Sequence, residues 1–224
     1  MKFFYAFFIK DLRLALSYKI NFLMIFVSPF ISMFLLFMVI TSSTISNNNV
    51  FNIMLFENIF YGVVFIDLSF VVISSLPRLI NEYRQQGILE EILHRNNQHT
   101  IFSTFAWVSI IFIFKSFIYF AIASFLFKKS LLQSILFLKI VSILMPTFIS
   151  LMGLSIIAAS YTIINLRGNI IQTILITGSA FLSGAFFSIN LLPYIFTLIS
   201  QAIPITHALY LIKDISDLTL YNNY

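Results

Sequence analysis

Residues 59–76 read IFYGVVFIDLSFVVISSL, an apolar run in which Asp67 is the only charged side chain. A helix of about 20 mostly apolar residues is long enough to cross the hydrocarbon core of a bilayer. The rest of the chain has the same character, since 60% of its 224 residues are hydrophobic and only 9% are charged. A soluble domain carries about one quarter charged residues. The sequence therefore predicts an all-α, polytopic membrane protein that forms a single domain over residues 1–224.

Further runs along the chain have the length and composition of membrane-crossing helices. The predicted spans are 20–41, 59–76, 101–127, 136–164 and 170–189. A sixth apolar stretch, 191–212, is interrupted by Pro193 and Pro204, and proline removes a backbone donor and kinks a helix. We therefore predict five spans followed by two short helices that dip into the outer leaflet. A sixth span formed by 191–212 is the alternative.

Lysine and arginine are unevenly distributed between the two sides of these spans. Four of them precede the first span and three follow the second, whereas none lies between residues 42 and 58. Because short loops rich in Lys and Arg stay in the cytoplasm, the amino terminus is predicted to be cytoplasmic. The net charge of +5 reflects this pattern. No basic stripe with interleaved aromatics is present, so nucleic-acid binding is not expected.

The first residues, 1–18, have the pattern of an amphipathic helix. Phenylalanine and leucine recur at helical spacing on one face, while Lys10 and Arg13 lie on another. Such a helix lies in the headgroup plane of the lipid bilayer with its basic side toward anionic lipid. The alternative is that these residues simply extend the first span.

The sizeable polar segment between two predicted spans is 78–100. Gly87 is expected to divide it into two short helices, with an apolar stripe after the glycine. Before the glycine, Glu82, Arg84 and Gln85 are expected to be exposed beside Tyr83. A short helix with one aromatic and several charges suits docking into a groove of a partner. A surface helix that only spaces two spans fits the pattern equally well.

Asp67 and Lys115 are charged residues inside predicted spans. A charge near the bilayer centre costs at least about 2.5 kcal/mol and normally faces a partner or a wet cavity. At 1.5 Å per residue, Asp67 lies about 12 Å and Lys115 about 18 Å from the outer end of its span. A lysine side chain bridges such a difference in depth. We therefore predict an Asp67–Lys115 ion pair, with a structural role favoured over a substrate or proton role.

Residue patterns for common kinds of catalysis are absent from the sequence. The chain has no cysteine, which excludes thiolate ligands and a cysteine nucleophile. Its six glycines never form the Gly-x-x-x-x-Gly-Lys loop that holds nucleotide phosphates, and no His-Glu-x-x-His pair occurs. Glu90 and Glu91 adjoin each other but face different directions on a helix. We therefore predict no catalytic residue, no metal site and no cofactor on this chain.

Three short motifs resemble one family of transporters. EYRQQGILEEIL (82–93) looks like the cytoplasmic loop of ABC-2 type exporter permeases, and LSGAFFSINLLP (182–193) resembles their Ser-Gly-x-x-Phe-Phe element ahead of Leu-Pro. PITHA (204–208) resembles their Pro-x-Thr-x-Ala element, and the three occur in family order. The resemblance implies the permease subunit of an ATP-driven exporter in a bacterial-type plasma (inner) membrane. It further implies that ATP and magnesium are bound by a separate ATP-binding subunit.

The same resemblance implies roles for individual residues. A coupling role in the loop 78–95, against the ATP-binding subunit, falls on Glu82, Tyr83, Arg84, Gln85, Gly87, Leu89 and Glu90. The family forms a homodimer or a heterodimer with another permease, and the candidate pathway or dimer face here is Gly178, Ser183, Gly184, Phe186 and Phe187. Family members have a sixth span, so either the sequence ends before it or 191–212 crosses. The alternative function is a non-transporting scaffold or assembly subunit of such a complex.

Overall fold

A computed structural model gives the fold of the chain and confirms the predicted all-α class. Where the structure describes the backbone, it is helical apart from short turns, and no strand occurs in that part of the chain. The described residues are 9–10, 13, 17, 19, 23–24, 27–34, 38, 49–94, 98–127, 134–164, 170–186, 189 and 192–221.

The helices after residue 48 are named here in chain order. They are α1 (Asn49–Ile73), α2 (Ser75–Gln85), α3 (Leu89–His94), α4 (Gln98–Phe127), α5 (Ser134–Ile164), α6 (Ile170–Leu182), α7 (Tyr194–Ala202) and α8 (Pro204–Tyr221).

Helices α1 and α2 form one long rod with a break at Ser74. Pro77 lies in the first turn of α2, and a proline at that position cannot donate to the carbonyl of Ile73 and crowds it. The part of this rod that qualifies as a candidate membrane span is Ile59–Gln85, which has 27 residues and is therefore about 40 Å long. The helix therefore continues beyond residue 76, the predicted end of this span, as far as Gln85.

Three helices in the described residues are long and apolar enough to cross a membrane, namely Ile59–Gln85, Ile101–Ile122 and Val141–Ile164. Apolar helices of this length indicate a membrane protein. They coincide with three of the five predicted spans. Half of the predicted first span, 20–41, lies outside the described residues, although residues 27–34 are helical.

The predicted fifth span, 170–189, is not one continuous helix. Helix α6 has 13 residues and is about 20 Å long, which is shorter than the hydrocarbon core. It ends because Gly184 adopts a left-handed backbone with φ +77°, a conformation that terminates helices.

Helices α7 and α8 meet at an angle of 86°. The bend falls at Ile203, whose extended backbone ends α7, and Pro204 then starts α8 at a position where its missing N–H is not needed. Across the bend, the main-chain carbonyl of Gln201 is 2.7 Å from His207 Nε2. The predicted proline interruption of 191–212 is confirmed. This geometry fits either a re-entrant pair of helices or a single membrane span with a bend. If α7 and α8 form one bent span, the described residues contain four candidate spans instead of three.

Helix α1 lies at the centre of the bundle, packed against α4, α5, α6 and α8. Four of its buried residues recur at every fourth position along one face, namely Phe60, Val64, Leu68 and Val72. On another side, a Cβ added at Gly62 would lie 2.5 Å from Ala185 O. Only glycine at this position lets the turn after α6 pack so closely on α1, and that contact fixes α6 against the central helix.

Candidate functional site

The turn between α2 and α3 is built around Gly87. This residue has φ +72°, which glycine adopts without the steric penalty that other residues meet. The N–H of Gly87 donates to Arg84 O at 3.0 Å, and the N–H of Ile88 donates to Tyr83 O at 3.1 Å. Together these bonds form the Schellman motif that closes a helix C-terminus. The predicted division of the loop into two helices at Gly87 is confirmed.

The turn carries an exposed polar edge, here called the polar rim. Its residues, which belong to the end of α2, the turn and the start of α3, are Glu82, Gln85, Gln86 and Glu90. Gly87 is exposed beside them, and Leu89 is half-buried. Four of the residues predicted to couple to a partner therefore lie on the outside of the protein at this edge, namely Glu82, Gln85, Gly87 and Glu90.

Tyr83 points inward, although it is adjacent to the rim in sequence. Its side chain is only 4% exposed. The ammonium of Lys10 donates to its hydroxyl at 3.2 Å and lies 4.6 Å from the ring centroid. Tyr83 thus links α2 to Lys10.

Arg84 also points inward, and the prediction that it is exposed is wrong. Its Nη2 donates a hydrogen bond to Thr162 O, two residues before the end of α5. The last four carbonyls of a helix have no partner within the helix, and a cation near them is favourable to the helix dipole. Arg84 Nη1 lies 3.4 Å from Asn81 Oδ1, and its buried Nε has no hydrogen-bond partner among the described residues. The guanidinium therefore caps α5.

The start of α2 is bound to α5 as well. Ser155, a fully buried residue of α5, accepts a hydrogen bond from the N–H of Leu76 at 3.4 Å. Its hydroxyl is also 3.2 Å from that of Ser75, which in turn donates to Val72 O at 2.7 Å. These bonds lie at the break before Pro77, where the regular helix bonding is interrupted. The role of Ser155 was not predicted from the sequence. The available signal was the Ser-Ser-Leu-Pro run at 74–77, because a proline interrupts helix bonding and leaves main-chain groups that a neighbouring side chain must bind.

The structure brings Asp67 and Lys115 together. Lys115 Nζ is 2.6 Å from Asp67 Oδ2, with side chains that are 3% and 24% exposed, respectively. The hydroxyl of Tyr119 donates to the same oxygen at 2.8 Å and lies 3.4 Å from that of Ser32. Asp67 lies about 12 Å from Ile59 and Lys115 about 10 Å from Ile122, the ends of the two candidate spans. The network links α1, α4 and the helical segment 27–34.

Tyr119 and Ser32 were missed at the sequence level. Tyr119 is four residues after Lys115, the spacing at which side chains on one helix meet, so the helical period was an available signal. Ser32 donates to the carbonyls of Ser28 and Pro29 at 3.0 Å, as serines in apolar helices commonly do, and nothing in its sequence context marks it.

The residues of the candidate pathway or dimer face differ in exposure. Ser183 and Gly184 are buried, whereas Phe186 is 50% exposed. A Cβ added at Gly178 would meet nothing within 4 Å, so this glycine is not needed for close packing of helices. Phe187 lies outside the described residues. Lys213 of α8 donates to Gly184 O at 3.4 Å, which ties the turn after α6 to α8.

Within the described residues, no group of three His, Cys, Asp or Glu side chains lies together in a way that would hold a metal ion. Comparison of the chain with protein-family models, with curated proteins and with solved structures finds no match. The functional interpretation therefore rests on the sequence motifs and on the geometry of α2, α3 and the helices that hold them.

Proposed function

We propose that this chain is the permease subunit of an ATP-driven exporter, coupled to a separate ATP-binding subunit through residues 78–95. The observation that carries the proposal is the length of the rod Ile59–Gln85. At about 40 Å it exceeds a hydrocarbon core of about 30 Å, and in this proposal the excess length lies at its polar end, residues 78–85, which projects beyond the bilayer. The projecting end bears the polar rim.

A rim in this position is suited to transmit force. It closes the connection between two membrane-length helices, Ile59–Gln85 and Ile101–Ile122, so a displacement of the rim reaches both. The Schellman turn at Gly87 holds the end of α2 in a fixed shape, and Tyr83 and Arg84 anchor it from the inner side. A partner that binds the rim therefore displaces the helix bundle and not an unanchored loop.

The energy source lies on another polypeptide in this proposal. The sequence has no phosphate-binding glycine loop, and its three motifs resemble those of permeases that work with an ATP-binding subunit carrying ATP and magnesium. The membrane is a bacterial-type plasma membrane with the amino terminus and the rim on the cytoplasmic side. A second permease chain, identical or different, completes the transporter.

The partner is tested by affinity purification of the tagged chain from native membranes, followed by ATPase assays in nanodiscs. We expect an ATP-binding subunit to copurify and its ATPase activity to depend on the permease. Reversing the charge of the rim, with Glu82→Lys and Glu90→Lys together, should release the ATPase. Asp214→Lys, which changes an exposed acid on α8, is the control and should leave the complex intact.

The outcome of this purification also separates the exporter from a non-transporting scaffold. A scaffold would retain the ATPase without changing its turnover, whereas an exporter subunit stimulates it. Purification of the chain without any ATPase would count against both.

The side of the membrane is tested by cysteine labelling. Because the chain has no cysteine, Gln86→Cys introduces one reactive thiol on the exposed rim. We expect a membrane-impermeant maleimide to label it only after the cells are permeabilised. Labelling in intact cells would place the rim outside and overturn the proposal.

A further inference from the structure

We propose that α2 and α5 move as one unit, with Arg84 as the positioning residue that fastens them. This inference deepens the proposed function, because it assigns Arg84 to the transmission of movement inside the permease and removes it from the contact with the ATPase. The two connections between these helices are called here the clamp: Arg84 to Thr162 O at one end, and Ser155 to Ser75 and Leu76 at the other.

The spacing of the clamp shows how the two helices run. Nine residues separate Ser75 from Arg84 on α2, and seven separate Ser155 from Thr162 on α5. These separations correspond to about 13 Å and 10 Å along the helix axes. The two helices therefore lie side by side and point in the same direction. One connection would leave a pivot, whereas two connections about 10 Å apart oppose rotation of α2 against α5.

The hydrogen bonds at Thr162 allow the contribution of Arg84 to be measured separately from the packing of the threonine side chain. Arg84 binds the main-chain carbonyl of Thr162, while the Thr162 hydroxyl donates to Ala158 O at 2.8 Å within α5. A substitution of the threonine side chain therefore keeps the acceptor, whereas a substitution of Arg84 removes the donor. Arg78, an exposed arginine on the same helix, provides a matched control.

The clamp is tested first on the purified chain in nanodiscs without any partner, by amide hydrogen exchange. Arg84→Gln should speed exchange in the last turns of α5, residues 155–164, by about tenfold, as expected for loss of one charge-assisted hydrogen bond. Arg78→Gln and Thr162→Val should leave exchange there unchanged, and Arg84→Lys should restore part of the protection. Equal exchange in Arg84→Gln and the wild type would overturn the role of Arg84.

The common movement is tested on the complete complex by a disulfide between Ser75→Cys and Ser155→Cys. The two hydroxyl oxygens are 3.2 Å apart, so thiols at these positions are close enough to form a bond. If α2 and α5 move together, the oxidised complex should keep its permease-stimulated ATPase activity within about twofold of the reduced complex. A loss of about tenfold or more that a reductant reverses would show that the helices must move apart.

Failure of the disulfide to form in the folded protein would contradict the contact itself. If the two cysteines prevent folding, the exchange experiment alone decides the clamp. The exchange experiment needs no ATPase, so the failure of the exporter proposal and the failure of the clamp give different results.

Discussion

Two polar connections hold the central rod, and they differ in composition and depth. The Asp67–Lys115 pair lies within the apolar part of the bundle and joins two opposite charges. The contact of Arg84 with Thr162 O lies at the end of α2 that projects from the bilayer in our proposal, and it joins a charge to a main-chain carbonyl. Breaking the first pair leaves a charge buried without a partner. Breaking the second, by substitution of Arg84, leaves no buried charge and only removes the donor from a main-chain carbonyl near the end of α5. The deep connection is thus suited to permanent structure, and the outer one to transmission of movement.

The largest expected effect comes from breaking the deep connection on one side only. Asp67→Ala should lower the free energy of unfolding by about 3–5 kcal/mol, because Lys115 stays buried without its partner. Asp67→Ala combined with Lys115→Ala should be less damaging than Asp67→Ala alone. Unfolding in detergent measures both, with Asp214→Ala as an exposed control. Equal damage from the single and double variants would show that the two charges do not stabilise each other.

Tyr119→Phe sharpens the same comparison by removing one hydrogen bond and no charge. The hydroxyl donates to Asp67 Oδ2 at 2.8 Å, and a hydrogen bond to a charged group is worth about 1.5–3 kcal/mol. We expect a loss of that size in the same unfolding assay. In the Asp67→Ala background, Tyr119→Phe should have a smaller effect. An unchanged effect would mean that the tyrosine acts through packing alone.

Gly62→Ala tests the close packing that surrounds the deep connection. The new methyl group would lie 2.5 Å from Ala185 O and 2.8 Å from Ala185 Cβ, so the backbone must shift, at a cost of about 1–3 kcal/mol. Gly153→Ala is the matched control, because a Cβ there meets nothing within 4 Å. It should be neutral or slightly stabilising, since alanine favours a helix more than glycine does.

The smallest expected effect lies at the rim. Gly87→Ala forces a side chain into a left-handed conformation at φ +72°, which costs about 1–2 kcal/mol. Space is not the cause, since a Cβ at this position meets no other atom within 4 Å. Gly87→Asn should therefore cost less than Gly87→Ala, because asparagine tolerates this conformation better. If alanine and asparagine are equally well tolerated, the turn does not depend on the backbone conformation of residue 87.

The sequence predicted those features that depend on one residue and its immediate surroundings. The high cost of an isolated charge in an apolar span indicated a partner for Asp67, and Gly87 in a polar run indicated a helix break. The inward direction of Tyr83 and Arg84 was not predictable, because it depends on Lys10 and α5, which are distant in sequence. The early end of α6 was missed for a related reason: Gly184 within an apolar run is compatible with a continuing helix unless its φ angle is known.

The shortness of α6 has a consequence for main-chain chemistry inside the membrane. If α6 starts at one membrane surface, a helix of about 20 Å ends within a hydrocarbon layer of about 30 Å, where water cannot solvate the main-chain carbonyl groups in the turn that follows it. Lys213 brings an ammonium from α8 to Gly184 O at 3.4 Å, in the turn just after α6, and donates to this carbonyl in place of water. The stop in α6 and the course of α8 after its sharp bend are thus mutually dependent, and a change that displaces one withdraws solvation from the other.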